Sequence, residues 1–221
     1  MGFNVAIDGP AGAGKSTIAK ELAKELGYIY VDTGAMYRAI ALYLLRNGVK
    51  AEENDRISAL CKEANVTIQY ADGKQIVLLN GEDVNPYIRT EEVGSMASSS
   101  STNPDVRKQL LGLQRELAAS NDVIMDGRDI GTNILPNAQA KIYLTASIEV
   151  RAKRRFDELK AKGVDCDYEE IKKEIAIRDE RDMNREIAPL KQAEDAVLLD
   201  TSNMSIDEVK EAMIKIVKEK Q

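Results

Sequence analysis

The chain has 221 residues, with 31 Lys and Arg against 37 Asp and Glu for a formal net charge of -6, and it contains no histidine, no tryptophan and two cysteines. Without an imidazole, Ser-His-Asp and Cys-His mechanisms and histidine-bound zinc are excluded, and two cysteines cannot form a Cys₄ cage. The acidic balance argues against nucleic acid or an anionic membrane as partner, and no apolar run nears the ~18 residues of a spanning helix.

Short β runs alternate with amphipathic segments, which predicts an α/β fold with a parallel sheet covered by helices. The first strand is Phe3–Asp8, whose apolar stretch stops at Asp8, too soon for a signal peptide. A glycine-rich turn and a helix from about Ser16 to Leu26 follow, then a strand Tyr28–Asp32 and a helix from about Gly34 to Leu45. Ile57, Leu60, Cys61 and Ala64 form an apolar helical stripe, so Cys61 reads as core, while Cys166 lies in a polar loop. With no disulfide framework, a reducing cytoplasm is the expected compartment.

From about Asn65 to Tyr87 the alternation breaks. Val66, Ile68 and Tyr70 alternate with polar residues, and turns at Ala71-Asp72-Gly73 and Asn80-Gly81 predict adjacent hairpins, a small antiparallel insert. Helices are predicted at about Thr90–Ser99 and Pro104–Ala119, the second with Asn103 as N-cap. Val123–Asp126, Lys141–Leu144 and Val197–Asp200 read as strands, and Ser205 with Glu208 forms a capping box for a last helix.

Gly9-Pro10-Ala11-Gly12-Ala13-Gly14-Lys15-Ser16 matches G-x-x-x-x-G-K-[ST] directly after a strand and before a helix. Its backbone N–H groups and the helix N-terminus suit phosphate oxygens, Lys15 reaches the β- and γ-phosphates, and the Ser16 hydroxyl suits Mg²⁺. Asp8 and Asp126 are candidates to hold metal-bound water. A GTPase would carry Asn-Lys-x-Asp, which is absent. A motor would need more chain, and a small kinase needs a second anion site.

Thirteen arginines bear on that site. Arg38 and Arg128 follow strand ends in Asp32-Thr33-Gly34-Ala35-Met36-Tyr37-Arg38 and Asp126-Gly127-Arg128-Asp129-Ile130-Gly131-Thr132, where ligands bind in open α/β sheets. Arg151, Arg154 and Arg155 share one helix face, an ordinary solvated surface or a phosphate-facing cluster. Arg178, Arg181, Asp182 and Arg185 continue a line begun by Ile171 and Ile175, so an inward face turns cationic and calls for an anion.

At these residues the chain resembles the bacterial cytidylate kinases, the long form of CMP kinase in the nucleoside monophosphate kinase family. The resemblance covers essentially the whole chain and rests on Ile7–Ser16, Asp32–Arg38, Asp126–Thr132 and Arg178–Arg185. It implies a single three-layer P-loop kinase domain, a central parallel sheet flanked by helices, with a monophosphate-binding insert at about 62–100 and a helical lid at about 150–185. The implied reaction is phosphoryl transfer from MgATP to CMP or dCMP, giving CDP or dCDP plus ADP.

By the same resemblance, Gly9, Pro10, Ala11, Gly12, Ala13, Gly14, Lys15, Ser16 and Thr17 hold ATP, with Ser16 on Mg²⁺. Cytosine contacts map to Ser98, Arg107 and Asp129, sugar contacts to Arg178 and Asp182, and acceptor-phosphate contacts to Thr33, Arg38, Arg128 and Arg185. The family often has Ser at position 33, and Thr keeps the hydroxyl. Lys15, Arg128, Arg154, Arg155, Arg181 and Arg185 are the expected catalytic cations. UMP would set a carbonyl against Asp129 in place of the cytosine amine, so discrimination against UMP is predicted. A monomer acting on small molecules is expected. The competing readings are a kinase for another small acceptor, such as another nucleotide or a shikimate-like alcohol, and a non-catalytic nucleotide-binding module.

Overall fold

Five parallel strands make the central layer: β1 (Asn4–Asp8), β2 (Ile29–Asp32), β6 (Val123–Gly127), β7 (Ala140–Thr145) and β8 (Val197–Asp200), in the order β2-β6-β1-β7-β8. The computed structural model describes residues 2–221. Side chains alternate across the sheet and both faces are covered. Val5, Ile7, Ile124 and Ile142 meet α1 (Lys15–Leu26) and α8 (Ile206–Lys218). Ala6, Val31, Val123 and Met125 meet α2 (Thr33–Arg46) and α5 (Pro104–Ser120) on the other side.

The predicted insert is a three-stranded antiparallel sheet of β3 (Val66–Ala71), β4 (Lys74–Leu79) and β5 (Glu82–Asp83). Both turns place two consecutive residues at positive φ, Asp72 with Gly73 and Asn80 with Gly81, the backbone that two-residue hairpins require. Before the insert comes α3 (Asn54–Leu60), and after it α4 (Glu91–Ser100). The α6 (Ile148–Ala161) and α7 (Tyr168–Asn184) helices form a hairpin with its own small core around Ala152, Ile171 and Ile175.

Several boundaries differ from expectation for local reasons. The second helix starts at Thr33, not Gly34, because Asp32 caps it by accepting from the Ala35 N–H at 2.9 Å. The apolar stripe through Cys61 is not one helix: α3 stops at Leu60 and a 3₁₀ turn carries Cys61, which is buried in the core. Cys166 lies in the loop between α6 and α7 as expected, with its side chain half-buried against the core of that hairpin. A π-helical turn at Ile130–Ile134 follows β6, with no counterpart in the sequence reading.

Candidate active site

The N-termini of α2, α4, α5, α6, α7 and α8 all receive a side-chain oxygen from their capping residue. The α1 helix does not: its N-cap is Gly14, at φ 90, with no side-chain cap bond. Its first N–H groups and the positive end of its dipole are thereby left to an anion. Gly9 lets the loop cross β7, since a Cβ there would stand 1.9 Å from the Leu144 carbonyl oxygen.

Lys15 is buried, and its Nζ donates to the Gly9 and Pro10 carbonyls at 2.8 Å each. Burial, reinforced by the Arg128 charge, holds its pKa well below that of an ordinary lysine. Phosphate oxygens can replace those carbonyls and restore a full counter-charge. The Ser16 hydroxyl donates to Asp126 Oδ2 at 2.7 Å, and the Tyr30 hydroxyl donates to Oδ1 at 3.0 Å. Asp8 is engaged otherwise: both its oxygens accept from the Ile130 and Gly131 N–H groups at 2.8 Å, and it does not line the cleft. Of the two carboxylates expected near a metal-bound water, only Asp126 bonds a side chain of the phosphate loop. Asp8 instead ties β1 to the turn after β6.

Burial, with the Asp32 charge second, raises the Asp126 pKa from 3.8 to about 6. The folded chain holds a proton over this interval that the unfolded chain has released, so this group's contribution to stability falls as pH rises from about 4 to 6. Asp126→Asn is therefore expected to stabilise the nucleotide-free protein in EDTA at pH 8 by about 1–3 kcal/mol. That advantage should fade as pH drops below 6, and denaturant melts of both proteins at pH 4.5 and 8 measure it. An advantage that is equal at the two pH values, or absent at both, would contradict the assignment of cost to the buried charge.

The carboxyl ends of β2 and β6 open onto a cleft of about 810 Å³. Thr33 Oγ1 donates to the Asp126 carbonyl at 2.8 Å, and Arg38 donates to the Ile88 carbonyl at 3.2 Å. Arg107 pairs with Asp129, whose other oxygen lies 3.7 Å from Arg185. Arg128 Nε donates to Asp182 at 3.0 Å. Arg178 carries a buried Nε with no hydrogen-bond partner, and burial followed by the Arg128 charge lowers its pKa to about 10. The unpartnered Nε of Arg178, with the Arg128 charge nearby, is a group that an anion in the cleft would satisfy.

Most of the sequence-derived residues line this one cleft: Ala11 to Thr17, Thr33, Arg38, Ser98, Arg107, Arg128, Asp129, Arg154, Arg155, Arg178, Asp182 and Arg185. Gly9 and Pro10 lie beneath it as the carbonyl partners of Lys15. Arg181 does not line it; that side chain is exposed and donates to the Ser98 hydroxyl at 2.6 Å, tying α7 to α4. Arg151, Arg154 and Arg155 share a helix face but not a role. Arg151 is buried and donates to both oxygens of Asp179, at 3.1 and 2.6 Å, and to the Ala11 carbonyl at 3.1 Å. Arg154 reaches the Ala13 and Thr201 carbonyls at 3.3 and 3.1 Å, and Arg155 pairs with Glu158 at 3.0 Å.

Sequence reasoning missed Arg89, Ser101 and Tyr37, which also line the cleft. Arg89 donates to Asp32 Oδ2 at 2.6 Å from an irregular stretch with no periodicity to place it. Ser101 accepts from Arg107 at its carbonyl and from Arg185 at its hydroxyl, both at 3.3 Å. It stands in a run of four serines that differ only by their neighbours in space. The Tyr37 ring, with the Arg107 guanidinium 5.8 Å from its centroid, was adjacent to a chosen arginine and carried no signal of its own.

A phosphate loop and a second, arginine-walled compartment share one cleft at the carboxyl edge of a parallel sheet, the arrangement of a P-loop kinase. The family described as Cytidylate kinase matches residues 5–219. A cytidylate kinase of Caldicellulosiruptor bescii is 52% identical over 214 residues, covering 97% of this chain and 95% of that protein. A cytidylate kinase of Shouchella clausii is 49% identical over 218 residues, covering 99% and 97%. Among solved structures, an uncharacterized protein from Eubacterium ventriosum shares the fold, with a TM-score of 0.55, 12% identity and 98% of each chain covered. The chain belongs to the cytidylate kinase family and is an ATP-dependent nucleoside monophosphate kinase.

Proposed function

We propose that the chain transfers the γ-phosphoryl group of MgATP to CMP or dCMP, giving ADP and CDP or dCDP. The observation that carries the acceptor is the Arg107–Asp129 pair in the cleft, a donor fork beside an acceptor-only carboxylate. This matches the ring acceptors and amino donor of cytosine, whereas uracil sets a carbonyl against the carboxylate. Arg178 and Asp182, which line the same cleft, are assigned to the sugar, and Thr33, Arg38, Arg128 and Arg185 to the acceptor phosphate.

An oxygen of that phosphate, already ionised near neutral pH, attacks Pγ while the bond from Pγ to the bridging oxygen of ADP breaks. No protein base is required. The work of the chain is to align the two oxygens and to neutralise the charge between them, with Lys15, Arg128, Arg154, Arg155 and Arg185 as its cations. Ser16 and Asp126 present oxygen donors of the kind Mg²⁺ takes together with phosphate and water. The bound ion would supply further charge neutralisation on the phosphates. The α6–α7 hairpin, at about 150–185, is read as the lid over ATP, and the segment at about 62–100 as the acceptor-side insert. Arg181 acts there as a tie to Ser98.

A coupled assay with CMP, dCMP, UMP and AMP tests the acceptor, and no preference for the cytidine nucleotides would exclude this reading. Asp129→Asn offers an amide donor to the uracil carbonyl. It is expected to lower the CMP/UMP ratio of kcat/KM by about tenfold or more. An unchanged ratio would remove Asp129 from base recognition.

A further inference from the structure

The β2 strand is an edge strand of the main sheet, paired on one side with β6. Residues 30 and 32 are two apart, so their backbone groups project from the same, outer edge. That edge is occupied by side chains from the insert. Gln75 Oε1 accepts from the Asp32 N–H at 2.8 Å, and Gln75 Nε2 donates to the Asp32 carbonyl at 3.2 Å. Tyr70 donates its hydroxyl to the Tyr30 carbonyl at 3.1 Å. Tyr70 and Gln75 are direct cross-strand partners of β3 and β4, so one rung of the insert covers two successive outward positions of β2. A primary amide thus bonds both groups of one residue, as another strand would.

The residue so gripped carries more than its backbone. Asp32 also caps α2, the helix that bears Thr33 and Arg38, and receives Arg89 at its other carboxylate oxygen. We propose that Tyr70 and Gln75 are positioning residues for the acceptor compartment: they clip the inserted sheet to the free edge of β2 and thereby fix the start of α2 and the Arg89 wall relative to one another. The phosphate loop lies after β1, two strands away from that edge, and β2 meets it only through the Tyr30 hydroxyl on Asp126, so the clip acts chiefly on the acceptor side. This inference rests on the reading of the α2 side of the cleft as the acceptor site.

Gln75→Glu is isosteric, keeps the acceptor for the Asp32 N–H and loses the donor, setting a carboxylate against the Asp32 carbonyl. Steady-state kinetics with each substrate varied in turn should show the KM for CMP raised by about tenfold, with the KM for ATP unchanged and kcat within about twofold. Tyr70→Phe, which removes one hydroxyl from a half-buried ring and keeps the fold, should move the same constant in the same direction by less. If the KM for CMP stays at the parent value in both variants, or if both KM values rise together, the clip has no positioning role. A parent chain that prefers another acceptor excludes the cytidine reading alone, and the same split measured with that acceptor still tests the clip.

Discussion

Lys15→Ala is expected to reduce phosphoryl transfer by about 10³-fold while leaving the fold intact. The ammonium is the one charged donor placed inside the loop itself, so on the proposed reaction its loss would remove charge neutralisation from the transferred group. The remaining donors, the N–H groups ahead of α1, bind phosphate but bring no mobile positive charge. Stability should change little. Burial already opposes the charge on Lys15, and its two partners in the free protein are loop carbonyls. Turnover under saturating ATP and acceptor, with circular dichroism and a thermal melt on the same sample, separates the two effects. Turnover near the parent value would overturn the assignment of the loop.

The second large effect concerns stability. Arg151 and Asp179 form a buried pair, with side chains 4% and 9% exposed, that joins α6 to α7 and reaches the phosphate loop through the Ala11 carbonyl. Arg151→Ala leaves the Asp179 carboxylate buried without its cation, and the Ala146 and Ala11 carbonyls lose a donor. The expected loss is about 3–5 kcal/mol, read from denaturant unfolding at pH 7.5. Removing both charges together, as Arg151→Met with Asp179→Leu, should recover most of it, because no unpaired charge remains. A single variant within about 1 kcal/mol of the parent would mean that water or another cation takes over the pairing.

Arg151 also shows where reading by spacing stops. Positions 151, 154 and 155 do share a helix face, yet the first is a buried strut, the second reaches the phosphate loop and the third pairs with its own helix. The line from Ile171 through Arg178 and Asp182 did run inward as its period required, because helix geometry alone decides which residues share a face. What the same helix does with Arg181 depends on Ser98, 83 residues earlier in the chain. The Asp8 and Asp126 carboxylates stand near the ends of adjacent strands, but Asp126 is the partner of Ile7 and Asp8 that of Gly127, so their side chains leave opposite faces of the sheet. Asp126 thereby faces Ser16 at the start of α1, while Asp8 faces the turn after β6 and takes two of its N–H groups.

The sequence alone determined the features whose parts are all local: the strand–loop–helix phosphate cradle within eight residues, the capping box at Ser205 and the hairpin turns at Asp72-Gly73 and Asn80-Gly81. Backbone conformation and neighbouring side chains suffice for these. The tertiary structure decided which of the thirteen arginines face the cleft and which are struts or ties, that Arg89 and Ser101 line that cleft, and that Tyr70 and Gln75 bond the outer edge of β2. The physical reason is that a guanidinium or an amide takes its role from the groups facing it. Here those groups come from distant chain, as when Arg151 meets Ala11 across 140 residues of sequence.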